Sequence, residues 1–519
     1  MDIPLNPPLS SAPASAHSIP SAWKTAAAAG CLALIGVLIA SLLLGAASGF
    51  VSNDDYYHSR LAAQIIEQRT LRLNFPWLPH TILSPEQFVD HHLLYHIYLA
   101  PWMYWGGMAG AKFAQALIIG ALLVACWSLL RFLQVRHALL WSLGLFALSI
   151  PFLYRLLMVR TQAAALLLLI LALQLLFRQR YRWLIALAFA FTWLYNGFIL
   201  LPAVVALYTA AVYITGGRRI IWQPLAYVAL GTVLGLVINP YFPRNITFIL
   251  NHLGEKVDIE SNIRVGTEWY PYTTAALLDH SAGAFILLAL GFLAPGLRRV
   301  RRDAAETTLL LIALMTLYML AESRRFIEYF PAFALLFAAV ALGRRDIRWG
   351  DYLPTVIHKL RLHRLYLLPF AAVILWSGWQ TVSAVYADAQ TAEEEGYMAG
   401  AAQWLQTNTQ AGELVFQTDW DDFPYLFYYN THNTYLVGMD PTYLQLAQPT
   451  LWNLWLAVTQ GIVERPSVLI RESFGARYVV SDRGHDAFAV SAAADPAMHL
   501  VYEDATGLIW YISDTEAEK

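Results

Sequence analysis

The run from Thr25 to Phe50 is apolar throughout, longer than the core of a signal peptide and long enough to cross the roughly 30 Å of hydrocarbon in a bilayer. It is expected to remain as a first membrane span. Further apolar segments recur at 112–131, 137–153, 162–178, 183–199, 201–215, 221–239, 283–297, 306–321, 330–343 and 365–383, giving about eleven candidate spans. With 58% hydrophobic and 13% charged residues over 519 positions, the chain is a polytopic membrane protein. A net charge of -2 gives no reason to expect a nucleic-acid partner. Cys31 and Cys126 both fall inside apolar runs, so neither a disulfide framework nor a zinc site is implied.

Lys and Arg set the orientation. If Lys24 is cytoplasmic and 51–111 is one external loop, the cytoplasmic turns collect Arg131/Arg136, Arg178/Arg180/Arg182, Arg218/Arg219, Arg298/Arg299/Arg301/Arg302 and the basic stretch from Arg344 to Arg364. That alternation needs 93–107 to lie in the interface rather than to span, and its Tyr95, Trp102, Tyr104 and Trp105 suit that position. The expected plan is a disordered cytoplasmic tail over 1–24 and a helical membrane domain over 25–384 with external loops at 51–111 and 240–282. An extracytoplasmic α/β domain over 385–519 follows, with strands near 414–418, 477–481 and 508–512.

The polar residues on the external side concentrate in a few places. Val51-Ser-Asn-Asp-Asp-Tyr-Tyr-His-Ser-Arg60 places Asp54 and Asp55 directly after the first span. N-capping explains one carboxylate there, whereas two beside a histidine can hold a hard divalent cation or deprotonate an incoming hydroxyl or amide. His92 and His96 share a helical face at i, i+4, a spacing that can hold a metal or simply line the helix's wet side. Arg324 and Arg325 lie at an external boundary against the positive-inside trend, which suits either a bound anion or ion pairs with Glu322 and Glu328. Glu268 is flanked by aromatics and a proline, and Thr418-Asp-Trp-Asp-Asp-Phe-Pro424 follows an expected strand, where it forms either a recognition pocket or an aromatic corner.

These motifs, in this order, resemble those of the GT-C glycosyltransferases, and within them the single-subunit oligosaccharyltransferase catalytic proteins. Ser52-Asn-Asp-Asp-Tyr-Tyr-His58 is similar to the family's first-loop motif, with Asp54 at its metal-binding and catalytic aspartate, and Asp90-His-His92 looks like a later motif of that loop. Thr267-Glu-Trp-Tyr-Pro271 is similar to the acidic motif of the fifth external loop, and Arg325-Phe-Ile-Glu-Tyr-Phe-Pro331 to the segment whose arginine contacts the lipid-linked phosphate. Asp419-Trp-Asp-Asp-Phe423 stands where the family carries its WWDYG acceptor motif, without its first tryptophan and its glycine. The second external loop departs as well, because Arg155-Leu-Leu-Met-Val-Arg-Thr-Gln162 lacks the carboxylates that the family adds to its metal site there.

The resemblance implies transfer of a sugar or glycan from a polyprenyl phosphate or pyrophosphate to an extracytoplasmic protein, lipid or polysaccharide, in a bacterial inner membrane. It implies Asp54 and Glu268 as catalytic residues and Arg325, with Arg324, as the donor-phosphate site. Trp420, Asp421 and Asp422 would contact the acceptor. A divalent cation, Mg or Mn, would sit on Asp54 and Glu268, with Asp55 or His92 as further ligands. The alternatives are a transporter or flippase of a lipid-linked substrate, and a non-catalytic membrane protein derived from the same fold.

Overall fold

The structure, a computed structural model, describes residues 22–216, 220–254, 267–298, 301–344 and 367–513. The tail before Ala22, Arg218/Arg219, the loop between Gly254 and Thr267, and most of the basic stretch after Arg344 lie outside the described residues.

Among the described residues, five helices are long and apolar enough to cross a membrane: Ala22–Leu44 (α1), Leu93–Phe132 (α3), Asn196–Thr215, Thr274–Gly296 and Ala304–Glu322. Between the first two lies a more polar helix, Asn53–Gln68 (α2). Shorter apolar helices add Gln162–Phe177, Tyr181–Leu194, Gln223–Val237 and Phe330–Gly343. The apolar run expected as one span over 137–153 is instead bent by 91° between Ala138–Ala147 and Ile150–Leu157 (the second being α5, the Ala138–Leu143 helix α4). Ser149 caps α5 by accepting the Phe152 N–H at 3.2 Å, and Pro151 in the first turn suits a fresh helix start.

α1 shows how the membrane helices are built. Leu34, Leu38 and Leu42, four residues apart, face outward, while Leu32, Gly36, Ala40 and Leu43 pack inward. A Cβ on Gly36 would stand 3.0 Å from the Gly120 Cα of α3, so the two glycines let the backbones approach. α3 itself breaks at Gly107, whose φ of 53° is left-handed, and the Leu93 to Gly106 part before the break carries the exposed Tyr104 and Trp105. The break thus falls at the end of the 93–107 segment, and the helix continues beyond it to Phe132.

The C-terminal part is a five-stranded mixed sheet flanked by helices. Its strands are Leu414–Gln417 (β1), Thr434–Tyr435 (β2), Tyr478–Asp482 (β3), Met498–Glu503 (β4) and Gly507–Ile512 (β5), in the order β2-β1-β3-β5-β4. β1 is parallel to β2 and β3, and β5 is antiparallel to β3 and β4. β4 is an edge strand with most of its side chains outside, so no apolar run marked it in the sequence.

This sheet domain packs on the first loop through aromatic rings. Tyr56 of α2 meets Tyr425 at 4.7 Å and Tyr428 at 5.3 Å between ring centroids. Trp77 donates from Nε1 to the Thr431 carbonyl at 2.9 Å and accepts the Tyr435 N–H at 2.8 Å. One hydrophobic core runs without interruption from α1 and α2 into the sheet domain.

Candidate active site

A cavity of about 680 Å³ opens where the first loop, the turn after α5, the 267–269 turn, the 324–328 turn and the sheet domain meet. Asp54, Glu268, Arg325, Trp420 and Asp421 all line it, so residues from four distant stretches share one space.

Asp54 lies in the first turn of α2. Ser52, which precedes the helix, makes no side-chain cap bond, and the Asp54 N–H is taken by Asn53 Oδ1 at 2.8 Å. The Asp54 carboxyl is therefore free of capping duty and meets Arg160 Nη1 at 3.1 Å. Asn53 Nδ2 donates to Asp421 Oδ1 at 2.9 Å and ties the first loop to the sheet domain at the cavity itself.

Arg155 belongs to α5, the second limb of the bend, and Arg160 to the turn that follows it. Arg155 projects from α5 and bonds Glu328 Oε1 through Nε at 2.6 Å and Glu268 Oε2 through Nη2 at 2.9 Å. Arg160 Nη1 lies 3.1 Å from Asp54 and 3.7 Å from Glu268 Oε2. Arg325 Nη1 meets the other Glu268 oxygen at 3.3 Å, and its guanidinium covers the Trp269 ring at 4.8 Å.

Glu268 thus faces three guanidiniums. Burial alone would raise its carboxyl, but Arg325, Arg160 and Arg155 together hold it far below the usual carboxylate range. The turns carrying these groups are pinned to each other: Ser323 Oγ donates to the Glu268 carbonyl at 2.9 Å and the Arg324 N–H to the Tyr270 carbonyl at 3.1 Å.

The remaining residues singled out in the sequence divide. Arg324 points away from the cavity, donating to the Pro271 carbonyl at 3.2 Å and covering the Tyr272 ring. Asp55 is fully buried behind Asp54; burial first, and Asp54 second, push its carboxyl up to about 8 against the opposing effect of Arg160 and nearby backbone amides. Asp422 is buried beneath the cavity wall, where burial and the neighbouring Asp482 and Asp419 raise its carboxyl. Asp421 lines the cavity, and burial with Asp419 and Asp54 lifts it to about 7.

His92 lines the cavity with its ring stacked on Tyr195 at 5.6 Å, and burial lowers its basicity. His96 is engaged elsewhere: its Nδ1 bonds Asp90 Oδ2 at 2.8 Å and its Nε2 bonds His58 Nδ1 at 2.8 Å. This buried Asp90, His96, His58 chain runs behind His92, so the i, i+4 histidines do not offer a shared pair of ligands.

The fit of a divalent cation on Asp54 and Glu268 is decided by Arg160. Arg160 Nη1 lies close to both carboxyls, 3.1 Å from Asp54 and 3.7 Å from Glu268, so a guanidinium already brings positive charge between them. Elsewhere Asp419, Asp482 and His485 bring their ligand atoms within 4.8 Å of one another at the cavity rim, a group able to hold an ion. His485 bonds Asp482 through Nδ1, and although burial lowers its basicity, that carboxylate raises it more.

Asp54, Glu268 and Arg325 are legible in the sequence, two of them through adjacent pairs, Asp54-Asp55 and Arg324-Arg325, at loop edges. Arg155 and Arg160 stand in a loop whose sequence draws attention only by its lack of acids. The signal that would have found them is the same one that marked Arg325, arginines set against the positive-inside trend.

The helix bundle, with Asp54 of its first loop held under an α/β domain, shares its fold with solved structures of sequences about 15% identical to this one. The apo oligosaccharyltransferase of Archaeoglobus fulgidus matches it with a TM-score of 0.63 at 15% identity, over 94% of this chain and 74% of that one. ArnT from Cupriavidus metallidurans bound to undecaprenyl phosphate matches with a TM-score of 0.58 at 15% identity, over 93% of this chain and 97% of that one. The arabinofuranosyltransferase AftD from Mycobacteria matches with a TM-score of 0.60 at 16% identity, over 94% of this chain and 40% of that one. No protein family and no curated protein matches the sequence itself.

Proposed function

We propose that the chain is an inverting membrane glycosyltransferase that moves a sugar or glycan from a polyprenyl phosphate or pyrophosphate to an acceptor outside the membrane. The observation that carries this reading is the convergence of Asp54, Glu268 and Arg325 with Trp420 and Asp421 in one cavity. Donor class is supported by the ArnT structure bound to undecaprenyl phosphate and by an Archaeoglobus fulgidus AglB structure in complex with an inhibitory peptide and a dolichol-phosphate.

In this reading Asp54 takes the proton from the acceptor nucleophile as the new bond to the anomeric carbon forms and the bond from that carbon to the phosphate oxygen breaks. The proton ends on Asp54 and the electron pair on the departing phosphate, whose charge Arg325 meets. Glu268, held ionised by three guanidiniums, is too weak a base to activate the acceptor and instead aligns Arg155, Arg160 and Arg325. Trp420 and Asp421, which line the cavity, border the acceptor. A cavity closed by a folded domain and lined by paired acids and guanidiniums favours an enzyme over a flippase, which would place such groups on broken helices at mid-membrane.

The short apolar helices, the bent pair and Leu367–Gln390 are taken as spans beside the five long ones, which gives the expected count of about eleven. The N-terminus is then cytoplasmic and the sheet domain periplasmic in a bacterial inner membrane. The test is release of free polyprenyl phosphate or pyrophosphate, followed by mass spectrometry, when the full chain in liposomes meets a lipid extract carrying polyprenyl-linked sugars. Wild type is expected to release it, and Asp54→Ala to be slower by about 10²-fold or more with an unchanged gel-filtration profile. Equal release by the two proteins excludes the proposed role.

A further inference from the structure

We propose that the guanidinium of Arg160 stands in the place of a divalent cation at this centre, bridging Asp54 and Glu268, so that transfer runs without a metal ion there. The inference rests on the glycosyltransferase reading above and specifies how its charge is handled.

Geometry carries it. A hard cation shared by Asp54 and Glu268 would need an oxygen of each at about 2.0–2.6 Å. Arg160 Nη1 already stands 3.1 Å from Asp54 Oδ2 as an ion pair and 3.7 Å from Glu268 Oε2, a longer charge contact, so a cation's charge is already present between the two acids. The side chain is 9% exposed and cannot swing into solvent without leaving both acids behind.

The surroundings agree. Glu268 also bonds Arg155 at 2.9 Å and meets Arg325 at 3.3 Å, so an incoming dication would find its second ligand ringed by positive charge. Nor does the stretch from Arg155 to Gln162 bring a replacement ligand of negative charge, since it holds no acid at all. Asp55, the nearest further carboxyl in sequence, is buried away from the cavity.

A planar guanidinium fits the task. It sets a permanent positive charge between the two carboxylates and beside the departing phosphate. Unlike an ion, it is covalently part of the chain, so a chelator cannot remove it.

The test is Mn²⁺ binding to the full chain in detergent, read by electron paramagnetic resonance as loss of the free-ion signal. Wild type and Asp54→Asn are expected to bind equal amounts, any ion on the Asp419, Asp482 and His485 group appearing in both and disappearing with Asp482→Asn. Arg160→Asp is expected to bind one further ion, lost again when Asp54→Asn is added. Wild-type release of polyprenyl phosphate is expected to change less than twofold in excess EDTA. The proposal is overturned if Asp54→Asn releases an ion that wild type holds, if an Arg160→Asp chain with unchanged thermal unfolding gains none, or if EDTA stops wild-type turnover while added Mn²⁺ restores it. Failure of the transferase reading looks different: Asp54→Ala then turns over as fast as wild type, whatever Mn²⁺ does.

Discussion

Asp54 and Asp55 are neighbours in sequence with opposite environments. Asp54 is 20% exposed and paired with Arg160, whereas Asp55 is fully buried and keeps its proton up to about pH 8. The folded chain holds that proton where the unfolded chain releases it near 4, so the stability it lends is fully present below pH 4 and is lost as pH rises through 8. Asp55→Asn is therefore expected to raise the thermal unfolding temperature at pH 8, by the equivalent of roughly 1–3 kcal/mol, and to flatten its decline between pH 5 and 8. An unfolding temperature lowered at pH 8 would contradict the buried, protonated assignment. Which of two adjacent acids faces the cavity is not written in their identity. It follows from the start of α2 at Asn53 and the helical turn of about 100° per residue, which sends one carboxyl outward and the other into the core.

At the scale of elements, hydropathy located the helices and could not locate their bends. The run over 137–153 is apolar on both sides of the 91° turn, and only Ser149-Ile-Pro151 hints at a new helix start. That turn is what delivers Arg155 to Glu328, which is 1% exposed, and to Glu268. Arg155→Met leaves Glu328 buried without its cation and is expected to cost about 3–5 kcal/mol in thermal unfolding, with Arg155→Lys losing less. If Arg155→Met unfolds like wild type, the pair does not hold the bend. The break in α3 makes a second case. A Cβ on Gly110 would lie 2.0 Å from the Trp102 carbonyl oxygen, whereas one on Gly106 meets nothing within 4 Å. Gly110→Ala is expected to destabilise the protein by more than about 2 kcal/mol and Gly106→Ala by less than 1, a contrast that unfolding temperatures of the two variants measure directly. Strands with inward apolar faces, such as Tyr478–Asp482, were legible from alternation, while the edge strand Met498–Glu503 was not, because most of its side chains meet water.

Across the whole molecule, the sheet domain and the loop after α1 pack into one continuous core. Tyr56 is fully buried among Phe50, Tyr425 and Tyr428, and its hydroxyl accepts the Phe50 N–H at 3.3 Å. Tyr56→Ala removes a fully buried ring at that junction and is expected to cost about 3–5 kcal/mol, and with it faster proteolysis between the membrane and sheet domains. Unaltered proteolysis would mean that the junction is held elsewhere. No local pattern could have shown this docking, since it joins Tyr56 to residues far along the chain. The motifs pointed to Asp54, Glu268 and Arg325 as one group, and the fold brings these three to one cavity from three distant stretches of chain. The most direct measurement of that assembly is an electron cryomicroscopy map of the full chain in nanodiscs with undecaprenyl phosphate. The phosphate is expected within about 3 Å of the Arg325 guanidinium, inside the cavity that Asp54 and Glu268 line. A phosphate bound on another face of the bundle, with that cavity left to water, would contradict the account.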